Sequence, residues 1–193
     1  GAGWDRRGLG IAGTLAALVA TGEPVLVVCA DARARRRGLD GRLGGFAICS
    51  WAALQRDPEI ARPYPHVVAL DPPLEPAQQE LLHGRMAHLA WGAPELAFAE
   101  HVHERDLDLR VPLRAVYCAL RDRGEPALAD FPVLVAGRAL RVLRELGLVD
   151  GVRVVPGAPR TELERSPSFV GYQRRLEDGR LWLRTAAGTA TAA

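Results

Sequence analysis

Two aspartates, Asp31 and Asp71, each stand directly behind a short apolar run, Val25 to Cys29 and His66 to Leu70. The carboxyl ends of parallel strands are where open α/β sheets carry their functional groups, so acids in these places could hold a divalent cation. Each also has a structural reading. Asp31 can cap the helix that follows it, and Asp71, inside Asp71-Pro72-Pro73, can fix a turn. A second candidate is Gly8-Leu9-Gly10-Ile11-Ala12-Gly13, which has the spacing of a dinucleotide-binding loop, with Asp31 near the distance of a ribose-binding acid. That loop needs a strand immediately before it, and Trp4-Asp5-Arg6-Arg7 does not read as one. The glycines are therefore expected to open a helix, and a nucleotide- or NAD-binding enzyme domain using Gly8 to Gly13 stands as an alternative.

Phosphate chemistry is carried by arginine. Arg33, Arg35, Arg36 and Arg37 crowd together after the first apolar run, and Arg138, Arg141 and Arg144 share one broad face of a predicted helix. Guanidinium forks match phosphate oxygens, so both groups are candidates for nucleic-acid contact, although a solvated helix face explains them too and is the favoured reading. No aromatic signature of base reading accompanies either group, and Trp4, Trp51, Trp91 and Trp182 are scattered. Glu100, His101, His103, Glu104, Asp106 and Asp108 are the one concentrated set of metal-ligand types. Its spacing is poor, because His101 and His103 point about 200° apart on a helix where a two-histidine site needs i, i+4. No metal site is assigned. His66, His83 and His88 read as packing or surface residues.

Composition removes other chemistries. All 25 basic residues are arginine, and lysine and asparagine are absent. A Walker A loop, a Schiff-base lysine and a protein-kinase site therefore cannot be built. The formal charge of +2, from 25 basic and 23 acidic residues, is too balanced to name a partner. Cys29, Cys49 and Cys118 form no CxxC pair and read as reduced core residues. With no signal peptide and no apolar run near the roughly 20 residues of a membrane span, a cytoplasmic location without membrane contact is expected. The abrupt start at Gly1-Ala2-Gly3-Trp4 suggests that upstream sequence has been removed.

The elements that must position these residues follow from periodicity. Ile11, Leu15, Leu18 and Val19 predict an amphipathic helix ending at Thr21-Gly22. Val25 to Cys29, Phe46 to Cys49, His66 to Leu70 and Met86 to Ala90 recur about every twenty residues, the pattern of βαβ units in a parallel sheet covered on both faces. This predicts an α/β domain over 1–104, a Rossmann-like or RecA-like layer without a Walker A loop. Pro94 opens a helix to His103, and Glu104 to Asp108 reads as a linker. Over 105–156, a helix opened by Pro112 and ended by Gly124, a second helix from Ala136 to Leu146 and a hairpin turning at Asp150-Gly151 predict a small winged-helix-like α+β unit. Phe169, Tyr172, Leu176 and Leu183 mark a C-terminal helix within 157–184, and the Ala/Thr/Gly composition of 185–193 predicts a disordered tail.

The ordered set Gly10 to Leu15, Pro24 to Ala32, His66 to Pro73 and Glu164 to Phe169 resembles the C-terminal region of bacterial RecJ, the single-stranded-DNA-specific exonuclease, in actinobacterial-type sequences. The resemblance runs over nearly the whole chain. It implies a parent hydrolase degrading single-stranded DNA 5′ to 3′ in repair and recombination, with manganese or magnesium held by a DHH-type core upstream. No Asp-His-His occurs here, so no catalytic residue carries over. Val67 to Asp71 resembles a Walker B strand with no Walker A partner. What is implied is a non-catalytic accessory region without a cofactor of its own. Its expected partners are single-stranded DNA, single-stranded-DNA-binding protein or other repair proteins, and its own upstream core. A third reading is a regulatory winged-helix protein that contacts duplex DNA through the 138–146 helix.

Overall fold

The computed structural model describes residues 4–6, 10–39, 44–159 and 161–190. The chain divides into two compact units, Gly1–His103 with Gly179–Ala193, and Glu104–Asp178.

The first unit is a five-stranded, all-parallel sheet. Its elements in chain order are β1 (Trp4–Asp5), α1 (Ile11–Val19), β2 (Val25–Cys29), α2 (Ala32–Leu39), β3 (Ala47–Ser50), α3 (Trp51–Arg56), β4 (His66–Ala69), α4 (Pro76–Glu80), β5 (Met86–Leu89) and α5 (Ala93–Leu107). The strand order is β1-β5-β4-β2-β3. Every residue of β2 is buried, because the sheet is covered on both faces. Val25, Val27 and Cys29 pack with Leu15 and Leu18 of α1, whereas Leu26 and Val28 pack with Trp51 and Leu54 of α3. Continuous apolar runs, and not alternating ones, are what such a sheet demands.

β1 corrects the sequence reading. Trp4–Asp5 is a strand, pairing Trp4 with His88 and Asp5 with Leu89 on β5. Two residues are too short for a period, and only the partner strand reveals the pairing. The Glu104 to Asp108 linker is corrected as well, since α5 continues to Leu107. Ala99, Val102, His103 and Leu107 are buried at i, i+3, i+4 and i+8, a helical stripe that the surrounding charges mask.

The second unit is winged-helix-like: α6 (Arg110–Arg123), a 3₁₀ turn over Glu125–Asp130, α7 (Val133–Glu145), and the antiparallel hairpin β6 (Val149–Asp150) and β7 (Arg153–Val154). Gly124, at φ 72, ends α6 in a conformation that a side chain would strain. The core joins Leu113, Val116 and Leu120 of α6 to Val135, Ala139 and Leu143 of α7, with Phe169 and Tyr172 beside them.

α8 (Pro167–Ala190) is one helix where a shorter one and a disordered tail were expected. Alanine is the best helix former, and a nucleated helix propagates readily through such a sequence, so 185–190 stay helical. Residues 191–193 lie outside the described residues. The expected separate segment 157–184 is instead divided, its part up to Asp178 belonging to the second unit and the rest to the first. A Cβ on Gly179 would run into the imidazole of His103, so this position requires glycine. Among the described residues no helix is long and apolar enough to cross a membrane.

Candidate functional site

In the first unit the chain leaves β2 toward β3 on one side and leaves β4 toward β5 on the other. The carboxyl ends of β2 and β4 therefore flank the topological switch point, the crevice where open α/β sheets take ligands. Asp31 and Asp71 stand at these two ends.

Asp71 fills the crevice from within. Its side chain is fully buried. Oδ2 accepts the Ala30 N–H at 2.9 Å, and the Arg35 guanidinium reaches both oxygens, its Nε lying 3.1 and 3.2 Å from them while its terminal nitrogen donates to Oδ1. Arg35 also lies over the Phe98 ring of α5, 4.0 Å from its centroid. The Trp51 indole donates to the Asp71 carbonyl at 3.1 Å, and the Trp182 indole donates to the carbonyl of Pro73 at 3.1 Å. Burial pushes the Asp71 carboxyl up from the ordinary carboxylate range, and the Arg35 bonds and charge and the Ala30 N–H pull it back. Asp71 is thus the internal anchor of α2, beyond the turn role read from Pro72 and Pro73. Asp31 caps α2, accepting Ala34 N–H at 3.0 Å. Among the described residues no group of three potential ligands is placed to hold a metal ion.

The strand order also bears on the glycine run. Gly8 and Leu9 lie outside the described residues, while Gly10 precedes α1 and Gly13 lies within it. β1, the strand before the run, is an edge strand three positions from β2, about 14 Å from the strand that precedes Asp31 at about 4.8 Å per strand. A dinucleotide loop needs its ribose acid on the neighbouring strand.

Helical phase sorts the arginines. On α2, Arg33, Arg36 and Arg37 are exposed at i, i+3, i+4, whereas Arg35 turns inward to Asp71. On α7, Arg138 is half-buried: it donates to the Asp106 carbonyl and lies 5.6 Å from the Tyr172 ring centroid. Arg141 and Arg144 are exposed, and Arg144 Nε donates to the Gly151 carbonyl of the hairpin turn at 2.8 Å.

Three groupings escape the sequence reading. Glu145 accepts from Ser166 Oγ at 2.6 Å, Ser168 N–H at 3.0 Å and Ser168 Oγ, which lowers its pKa. His66 and His88 meet on adjacent strands, Nδ1 to Nε2 at 3.1 Å, with Glu23 Oε2 2.6 Å from His66 Nε2. The third is Phe98 beneath Arg35. The signal for the histidines is their two-residue offset at the starts of β4 and β5; for the others the sequence distance is too long. On α5, His101 is exposed and His103 buried, on different sides of the helix. Cys29 donates to the Cys49 carbonyl, and the two thiols pack into opposite faces of the sheet; burial pushes both up, Cys49 to about 11. Comparison of the chain with protein-family models, with curated proteins and with solved structures finds no match.

Proposed function

We propose that this chain is a non-catalytic accessory region of a RecJ-type single-stranded-DNA exonuclease, and that it holds single-stranded DNA through the phosphates with the exposed arginines of α2. One observation carries the reading. The crevice at the switch point is filled by Asp71 and Arg35, while Arg33, Arg36 and Arg37 of the same helix face solvent. A layer that keeps the nucleotide-binding strand plan, fills its ligand crevice with an internal ion pair and turns three guanidinium groups outward suits a helper to a nuclease better than an enzyme. Manganese or magnesium chemistry belongs, on this reading, to an upstream core.

Two measurements test it. Incubated with manganese or magnesium and 5′-labelled single-stranded DNA, the chain leaves the DNA at full length; metal-dependent shortening that disappears with Asp31→Ala overturns the reading. Binding to single-stranded DNA is insensitive to sequence and weakens with salt. The slope of log K against log salt is about −0.7 per neutralised phosphate, so Arg36→Ala/Arg37→Ala flattens it by roughly 1.4. Equal slopes remove α2 from the interface, and single-stranded-DNA-binding protein or other repair proteins then become the partners to test by pull-down.

A further inference from the structure

The arginines of α7 are left out of that reading, and they sit on a different kind of surface. We infer that the exposed face of α7, with the β6–β7 hairpin, is a docking surface for double-helical DNA. Val133, Leu134, Gly137, Arg141 and Arg144 fall within an arc of about 100° on the helix, while Val135, Ala139, Val142 and Leu143 fill the core on the other side. The arc is open: Val133 is 86% and Leu134 55% exposed, and a Cβ on Gly137 would meet nothing within 4 Å. Arg144, bonded to the Gly151 carbonyl, fastens the helix to the hairpin turn, and Arg153 stands exposed on β7 just beyond it.

Charge complementarity selects a polyanion. On α7 and the hairpin the exposed Arg141, Arg144 and Arg153 outnumber the exposed acids Glu145 and Asp150, and Glu145 is turned to Ser166 and Ser168. The shape selects a duplex over a single strand. A helix about 10–12 Å across enters a major groove about 12 Å wide. Recognition helices present their N-terminal residues to base edges, where Val133 and Leu134 meet thymine methyls, and Arg141, Arg144 and Arg153 reach phosphates. This inference does not rest on the RecJ reading or on α2.

The test uses the full chain, a fluorescein-labelled 20-base-pair duplex and the single strand of the same sequence, with binding followed by anisotropy across a salt series. Each phosphate contact contributes about −0.9 to the duplex slope, so Arg141→Ala/Arg144→Ala/Arg153→Ala flattens it by roughly 2.7 and leaves single-strand binding unchanged. Arg36→Ala/Arg37→Ala does the reverse, so failure of either interface is seen separately. Gly137→Glu, which places a carboxylate on the face without a clash, abolishes duplex binding while circular dichroism stays that of the wild type. Equal duplex slopes for wild type and triple variant, or duplex binding that survives Gly137→Glu, overturn the inference. So does a face whose arginine variants weaken binding to poly-glutamate but not to the duplex, which makes it a site for an acidic protein.

Discussion

The switch-point crevice of the sheet unit and the α7 face of the winged unit begin with the same materials, arginines beside carboxylates, and end in opposite states. At the crevice the carboxylate is buried behind β4, so the guanidinium must go in to meet it, and Arg35 is withdrawn from the surface. On α7 the carboxylate of Glu145 is satisfied by two serines at the start of α8, and Arg141 and Arg144 stay in solvent. What decides whether an arginine can bind a ligand is who hydrogen-bonds the nearest acid, and a count of charges does not contain that information.

The largest effect expected from this contrast is at Asp71. Asp71→Ala leaves the Arg35 guanidinium against Phe98 without its counter-charge and the Ala30 N–H without an acceptor, a loss of about 3–5 kcal/mol. All four tryptophans lie in the sheet unit, so urea unfolding followed by tryptophan fluorescence reports it directly. Replacing both partners, Asp71→Ala/Arg35→Met, recovers part of the loss, because an apolar pair leaves no charge stranded. A single-variant loss below about 1 kcal/mol would mean that the crevice is not locked by this pair, and the comparison fails at its first term.

The sheet unit also carries a buried histidine, a residue type that the winged unit lacks. His88 is buried, and its Nδ1 finds no hydrogen-bond partner among the described residues. Burial, with the charges of Arg6 and His66 beside it, lowers its pKa to about 4 from an ordinary 6.5. Between these values the unfolded chain binds the proton and the folded chain does not. Stability is therefore complete above pH 6.5, falls as the pH drops toward 4, and loses no more from this group below that, by at most roughly 3 kcal/mol. Urea midpoints measured from pH 7.5 to 4.5 should show the fall in the wild type and a flatter profile in His88→Leu. Parallel profiles would remove His88 as the cause.

Legibility in the sequence divides along the same line. Val25 to Cys29 is readable because a run of five apolar residues between a helix end and an aspartate fits little else, and α6 and α7 are readable from their 3.6-residue stripes. Asp31 and Asp71 are placed correctly at strand ends. Their partners are not visible, because four arginines among five residues occupy every phase of a helix, and which one turns inward depends on Asp71, 36 residues beyond Arg35 on another strand. The His66–His88 pair and β1 likewise exist only through strand order, which local patterns do not encode.

A smaller effect is expected where the winged unit satisfies its acid. Ser166 accepts the Phe169 N–H at 3.1 Å as the N-cap of α8, with Pro167 at the first helical position, and it donates to Glu145. Ser166→Ala should cost about 1 kcal/mol. The same bonds lower the Glu145 pKa, so their contribution is present above the unfolded carboxylate pKa and is lost as pH falls through the folded one. The decisive outcome is the difference in unfolding free energy between wild type and Ser166→Ala at pH 7 and at pH 3. It should narrow at acid pH, and a constant difference would separate the cap from the carboxylate.

The smallest effect belongs to the exposed arginines of α7. Arg141 is exposed, with no hydrogen bond or ion pair of its side chain among the described residues, so Arg141→Ala should change stability by no more than about 0.5 kcal/mol. Arg144 differs by one bond, its Nε to the Gly151 carbonyl, and Arg144→Ala should lose on the order of 0.5–1 kcal/mol, chiefly by loosening the hairpin turn. Amide hydrogen exchange over 149–154 is the sensitive measurement, since protection there should fall in Arg144→Ala and hold in Arg141→Ala. Equal exchange in the two variants would make Arg144 as unattached as Arg141, leaving the hairpin held by its β6–β7 pairing and its apolar contacts alone. A fall of several kcal/mol in Arg141→Ala would be more damaging, because it would show that an arginine on this face carries the fold and that helical phase and exposure do not separate binding residues from structural ones.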